Sequence, residues 1–228
     1  MVRQERAIRT RQRILAVAAE VFDEAGYDAT TISDILKRSG LTKGALYFHF
    51  TSKEDIAQAV LAAQVDALPQ VPPQELKLQQ SMDEALLLAH LLQPETGDPI
   101  IQAGVRLTVD QGTRIDNLQR RTAMDGWTER TRALLEEAKA CGETLPHVDT
   151  DGLAKLLVGS FTGVQVLSRI MTGRRDLTER VTDLYRHLMP TVAVPGVLVR
   201  LDFSPDRGVR VYETVMKQRA MEAASPAE

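Results

Sequence analysis

The chain of 228 residues has one cysteine, Cys141, one tryptophan, Trp127, and aromatic side chains at only 4% of its positions. A single cysteine excludes an internal disulfide framework and fits a reducing compartment. No apolar run approaches the ~18 residues that suggest a membrane span. The opening VRQERAIRTRQRIL has no apolar stretch behind its charges, as a secretory signal requires. These absences point to a soluble, cytoplasmic protein. Catalytic signatures are missing too: there is no H-E-x-x-H, C-x-x-C, G-x-S-x-G or phosphate-loop pattern. The histidines, His49, His90, His147 and His187, are far apart, and His90 with Asp83 or Glu84 makes a poor metal set. Neither an enzyme nor a metal or other cofactor is expected.

What is present is ordinary in bulk, with 43% hydrophobic and 26% charged residues, but unevenly charged. Residues 1–13 hold Arg3, Arg6, Arg9, Arg11 and Arg13 against Glu5 alone, in a chain whose net charge is −3. A basic N-terminal arm on an acidic body suggests a local anionic partner.

Helical periodicity dominates. Leu15, Ala18, Ala19, Phe22 and Ala25 form one buried face, closed by Gly26. Thr31 caps a second helix whose stripe is Ile32, Ile35 and Leu36, and Ser39-Gly40 stops it. Thr42 caps a third, ending near Phe50. Thr51 and Glu54 read as a capping box opening a fourth helix, which runs to the break at Pro69–Pro73. Further helices are expected over 76–92, 100–109, 118–141, 150–172 and 177–189, with a last one opened by Ser204-Pro205. Residues 197–203 alternate like a strand without a partner. The fold class is all-α: an N-terminal helix-turn-helix bundle (1–52), then a linking helix and a larger helical ligand-binding and dimerisation bundle (53–228), with a disordered tail from about 221.

A helix, a glycine turn and a helix make the helix-turn-helix pattern, whose second helix enters the major groove of DNA. That puts Thr42, Lys43, Gly44 and Ala45 at base edges: Lys43 for guanine or phosphate, Gly44 for close backbone approach, Ala45 for a thymine methyl. Tyr47, Phe48 and His49 follow on the same helix. Tyr47 and His49 reach toward the groove walls, while Leu46 and Phe50 are expected inside. Lys53, Thr31 and Ser33 are phosphate candidates, and Arg9 and Arg11 belong to an arm that could follow the backbone or enter a minor groove.

The stretch TRQRILAVAAEVFDEAGYDATTISDILKRSGLTKGALYFHFTSKEDIAQAV resembles the DNA-binding domain of the tetracycline-repressor family. The resemblance implies an all-α dimer whose C-terminal domain binds a small molecule that releases double-stranded, palindromic operator DNA. RQERAIRTRQ, GALYFHF, GVRLTVDQG, MDGWTE and FTGVQVLSRIMTGRRDL further resemble the γ-butyrolactone-type autoregulator receptors of antibiotic-producing filamentous bacteria, nearest to receptors for butenolides such as avenolide. By that resemblance Trp127 walls the ligand pocket; by itself it reads as a core anchor.

A lactone pocket needs apolar walls and one or two polar groups. Leu88 and Leu91 on one helix, and Val158, Phe161, Thr162 and Gln165 on a face of another, are the candidates. Gln64 on the fourth helix could carry ligand binding to the DNA-binding unit. Gln64 and Thr162 could equally bond neighbouring backbone, the commoner fate of such residues. Gly159, Ser160 and Gly163, with Leu177, Val181, Leu184 and Leu188, are the dimerisation candidates. The rival readings are a repressor of an efflux or resistance gene released by an antibiotic, and a module whose arm meets an acidic protein.

Overall fold

A computed structural model describes residues 2–110 and 118–224. They form α1 (Val2–Ala25), α2 (Ile32–Ser39), α3 (Lys43–His49), α4 (Lys53–Ala67), α5 (Lys77–Leu91), α6 (Pro99–Val109), α7 (Arg120–Ala140), α8 (Thr150–Thr172), α9 (Leu177–Leu188), α10 (Pro195–Leu198) and α11 (Arg207–Ala224). No strand occurs among the described residues, only a bridge between Thr144 and Ala193. The chain divides into two compact units, one of residues up to Leu68 with Asp98–Met124, the other of Pro69–Gly97 with the chain from Asp125 onward.

The first unit closes on apolar side chains brought together by i, i+4 spacing. Ile14, Ala18 and Phe22 of α1 meet Ile35 of α2, Leu46 and Phe50 around α3, Ile56 and Val60 of α4, and Ala103 and Leu107 of α6. Burying each large side chain contributes about 1.5–3 kcal/mol. Because α4 donates its apolar stripe to this core, compactness places it with α1–α3, a different cut from the functional one expected at residue 52. Ala25, expected on the buried face, is exposed. The cap of α4 is Ser52, whose side chain accepts from the Asp55 amide, while Thr51 bonds the Asp55 carboxylate. The expected Thr51–Glu54 box is thus shifted by one residue.

In the second unit α5 is buried on nearly every side, packed against α9 and α11, with α8 against α9. Its N-terminus has no local cap. Glu143, 66 residues away, is buried and accepts from the amides of Lys77 (2.8 Å) and Leu78 (2.9 Å). Leu177 and Val181 are fully buried within this unit. They belong to its own core, so they are not the dimerisation residues the sequence suggested. Residues 197–203 form no strand: α10 ends inside them, a turn follows at 199–200, and 201–203 have no regular structure. The tail expected from 221 is helical to Ala224, because α11 continues through it; residues 225–228 lie outside the described residues. By average hydropathy α8 is apolar and long enough to cross a membrane, with 28% of that window buried. Its outer side carries Leu156, Leu167, Ile170 and Met171, 49–74% exposed.

Candidate DNA-binding and effector-binding sites

Local chemistry fixes the α2–α3 pair. Thr31 and Asp34 form a reciprocal capping box: the Asp34 amide donates to Thr31 Oγ1 (3.2 Å), and the Thr31 amide donates to Asp34 Oδ2 (2.9 Å). Hydrogen bonds from the Thr31 side chain and then its backbone hold the Asp34 carboxyl below its ordinary pKa. Gly40 takes φ 66°, a left-handed conformation that favours glycine, and its N–H closes on the Leu36 carbonyl. Thr42 then starts α3, its Oγ1 accepting from the Ala45 amide (3.2 Å).

Leu46 and Phe50 anchor α3 by its inner side, 0% and 2% exposed. The opposite side is open: Thr42, Lys43 and Gly44 are exposed, Ala45 and His49 half-buried, and Tyr47 and Phe48 are 43% and 78% exposed. The Lys43 ammonium lies 5.8 Å from the Tyr47 ring centre, and the Phe48 and His49 rings meet edge-on at 5.0 Å. A Cβ added at Gly44 would meet nothing within 4 Å. The fold itself therefore has no need of glycine there, although glycine costs a helix about 1 kcal/mol relative to alanine.

Three sequence candidates are engaged within the first unit. Lys53, expected at a phosphate, instead donates to the carbonyls of Tyr27 (2.7 Å) and Thr30 (2.9 Å) and sits 4.3 Å from the Tyr27 ring centre. It ties the α1–α2 turn to α4. Thr31 is a cap; Ser33 beside it is exposed. Arg11 lies over the Phe50 ring, while Arg9 is exposed. The expected arm is no loose segment: α1 is helical from Val2. The Arg3 side chain lies outside the described ones.

Gln64 is 3% exposed on α4 and fills a notch in α6. A Cβ at Gly104 would lie 2.3 Å from Gln64 Oε1. Gln64 Nε2 donates to Thr108 Oγ1 (3.4 Å), whose hydroxyl donates to the Gly104 carbonyl (2.7 Å). Gln64 Oε1 is buried with no hydrogen-bond partner.

In the second unit neither α7 nor α8 packs closely on α5 among the described residues. Long side chains bridge α7 to α5 instead, Arg130 to Glu84 (2.6 Å) and Lys77 to Glu137 (3.1 Å). The apolar candidates sit on these three helices: Leu88 and Leu91 buried on α5, Trp127 half-buried on α7, Val158 and Phe161 half-buried on α8. Thr162 donates to the Val158 carbonyl (2.8 Å), the backbone bond that was the plainer expectation; its oxygen can still accept. Gln165 is 1% exposed; its Oε1 accepts from Arg174 (3.3 Å) and its Nε2 is buried without a partner. Sequence reasoning weighed His90 only as a poor metal ligand; it is buried 4.3 Å from the Tyr212 ring with Nδ1 unpartnered. Burial lowers its pKa, against an opposing pull from Glu213. No group of three or more metal-binding side chains occurs among the described residues.

Two capped helices set at a glycine turn, anchored on one side and open on the other, with a separate helical body, define a helix-turn-helix regulator. The sequence pattern of bacterial regulatory proteins of the tetR family matches residues 14–60. The A-factor receptor protein of Streptomyces griseus is 37% identical over 88% of this chain and 70% of its own length. The chain belongs to the tetR family, as a DNA-binding transcriptional regulator and not an enzyme. Among solved structures, full-length native tylp, a tetR regulator from Streptomyces fradiae, is 59% identical with a TM-score of 0.82, over 92% of this chain and 99% of that one. The tetR-family protein CprB from Streptomyces coelicolor, solved in complex with its operator sequence, is 27% identical with a TM-score of 0.69, over 93% of this chain and 97% of that one.

Proposed function

We propose that this regulator binds a palindromic operator as a homodimer, represses genes of antibiotic production, and is released by a butenolide or γ-butyrolactone signal. Residues 1–52 meet the DNA, and residues 53–228 carry the effector and the dimer seam. One observation carries the DNA half: α3 is locked by its inner side while Gly44, which the fold does not need, stands on the outer one. Lys43, Gly44 and Ala45 approach base edges, with Tyr47, Phe48 and His49 along the groove wall and Thr42 and Ser33 near phosphates. The likeness to a receptor for A-factor, with apolar and polar candidates gathered on α5, α7 and α8, supports the effector half. Leu88, Leu91, Trp127, Val158 and Phe161 supply apolar wall, and Thr162 and Gln165 supply polar groups. Gln64 is the coupling residue. Its buried, unpartnered Oε1 and its fit at Gly104 make it the place where α4 and α6 can shift against each other.

The exposed apolar side of α8 is the seam between two copies, with Gly159 and Gly163 open to close approach. Action on cytoplasmic DNA follows from this reading. The test is operator binding by purified protein, on duplexes selected from a random pool, while butenolide, γ-butyrolactone and antibiotic are titrated. Release by a lactone, with saturable quenching of Trp127, supports the reading. Release by an antibiotic alone favours the efflux-gene alternative, and equal affinity with and without every effector sinks the switch. Gly44→Ala leaves stability unchanged or raises it by up to ~1 kcal/mol, yet weakens operator binding.

A further inference from the structure

The first three turns of α1 stand outside the apolar core. Burial begins at Ile14, and every described side chain from Gln4 to Arg13 is exposed or half-buried. Two arginines hold the base of this projection. Arg11 lies over the ring of Phe50, the C-terminal cap of α3, with 5.1 Å to the ring centre. Arg13 donates to the carbonyl of Ser39 (2.7 Å), at the end of α2. The projecting helix therefore leaves the first unit beside the helix-turn-helix itself.

Beyond those struts, the guanidinium groups of Arg6 and Arg9 are exposed and have no ion pair or hydrogen bond among the described residues. They are three residues apart, so they share one side of the helix. At 1.5 Å per residue they are carried roughly 3–10 Å past Arg11 and Arg13. A helix about 10 Å across does not enter a minor groove about 6 Å wide. The helix itself therefore cannot lie in the minor groove, and the sugar-phosphate backbone is the surface open to it along its length.

We propose that this projecting helix is a second DNA-contacting surface, a rigid basic strut whose Arg6 and Arg9 neutralise phosphates flanking each half-site, outside the groove that α3 reads. The proposal rests on the operator-binding reading of α2 and α3. It assigns Arg11 and Arg13 to holding the strut. Phosphate contacts carry no base information, so the strut raises affinity for any flanking sequence.

The experiment measures binding of the full-length protein to operator duplex across a salt series, by fluorescence anisotropy. Two duplexes are used, one with flanks beyond each half-site and one trimmed to the half-sites. The slope of log K against log salt changes by about 0.9 for each phosphate neutralised. The double variant Arg6→Ala, Arg9→Ala is expected to lower the slope by roughly two per protomer, with at least a tenfold loss of affinity at moderate salt. That loss should be the same for any flanking sequence and absent on the trimmed duplex. Arg6→Lys, Arg9→Lys keeps the charge and should keep the slope, which a purely structural role for the arginines would not predict. An alanine variant with wild-type slope, or a loss that persists on trimmed DNA, overturns the proposal. Helix content by circular dichroism checks that the alanine variant is folded. A wild-type protein that binds no duplex overturns the underlying reading as well, and is distinguishable because it needs no variant to be seen.

Discussion

Among the described residues of the first unit the buried polar side chains are Thr30, Ser39, Gln64 and Thr108, none of them ionisable at ordinary pH. In the second, Asp83, His90, Glu143 and Arg174 are all buried, alongside several glutamines and serines. The first unit is held by shape: apolar side chains fill it, and caps decide where its helices begin and end. Such a core fixes α3 as a platform and offers little for a proton or ligand to act on. The second unit is held by specific partners. Asp83 meets Arg207 and Gln79, Glu143 meets two backbone amides, and the buried Tyr185 hydroxyl donates to the Ser81 carbonyl. Satisfied polar networks specify one arrangement, and each is costly when half broken. A sensing body built this way has several discrete places where binding can shift its packing; in the first unit Gln64, its Oε1 buried without a partner, is such a place.

Phe50→Ala opens a cavity in the core of the first unit and should cost about 3–5 kcal/mol there, abolishing operator binding. Trp127, the one tryptophan, lies in the second unit, so its unfolding transition should hold its position. An equal fall of that transition would mean the units unfold together. Arg207→Leu tests the other side. Its guanidinium meets the Asp83 carboxylate, whose side chain is 0% exposed. Removing the cation leaves a buried charge uncompensated, expected to cost about 3 kcal/mol in the Trp127 transition. Changing Asp83 and Arg207 together to leucine should recover most of that loss, since it removes both charges. Failure to recover would show that packing, not charge, is the relevant difference.

Glu143→Ala is expected to be smaller, about 1–2 kcal/mol, because it removes two charge-assisted bonds at the start of α5 but opens no large cavity. It also shows where the sequence is silent. The helices of the first unit announce themselves: Thr31 with Asp34, Gly40, Thr42, and the 3.6-residue spacing of Leu46 and Phe50 are all local signals. So is the α8 stop at Gly173. The cap of α5 is not, because Glu143 is 66 residues from its partner and nothing near Leu76 hints at it. The same holds for Lys53, whose neighbours in sequence suggest a phosphate contact while its partners are the Tyr27 and Thr30 carbonyls. Leu177 and Val181 read as an apolar stripe, but periodicity cannot say whether such a stripe faces its own chain or a second copy. For the candidate sites, residue type and spacing were visible, and engagement was not.

The last contrast concerns protons. Burial holds His90 below its ordinary pKa of 6.5, with Glu213 pulling the other way. The folded state therefore binds the His90 proton less readily than the unfolded chain. Stability from a neutral His90 is complete above about pH 6.5 and declines as pH falls through that value toward the depressed folded pKa. Unfolding of the wild type, followed by Trp127 between about pH 8 and pH 5, should show this loss on the acid side. His90→Phe keeps an aromatic ring against Tyr212 and removes the titration, so the difference between the two proteins should shrink or reverse as the pH falls. Phe50→Ala should leave the acid-side slope untouched, because its damage lies in a unit whose described core residues include no ionisable side chain. If His90→Phe keeps the wild-type slope instead, the proton acts elsewhere in the second unit. Asp202 titrates outside that window and is a separate test: burial raises its pKa, but the outweighing bonds from Ser204 and Arg210 lower it to about 2, so its contribution is lost only as pH falls from about 4 toward that value.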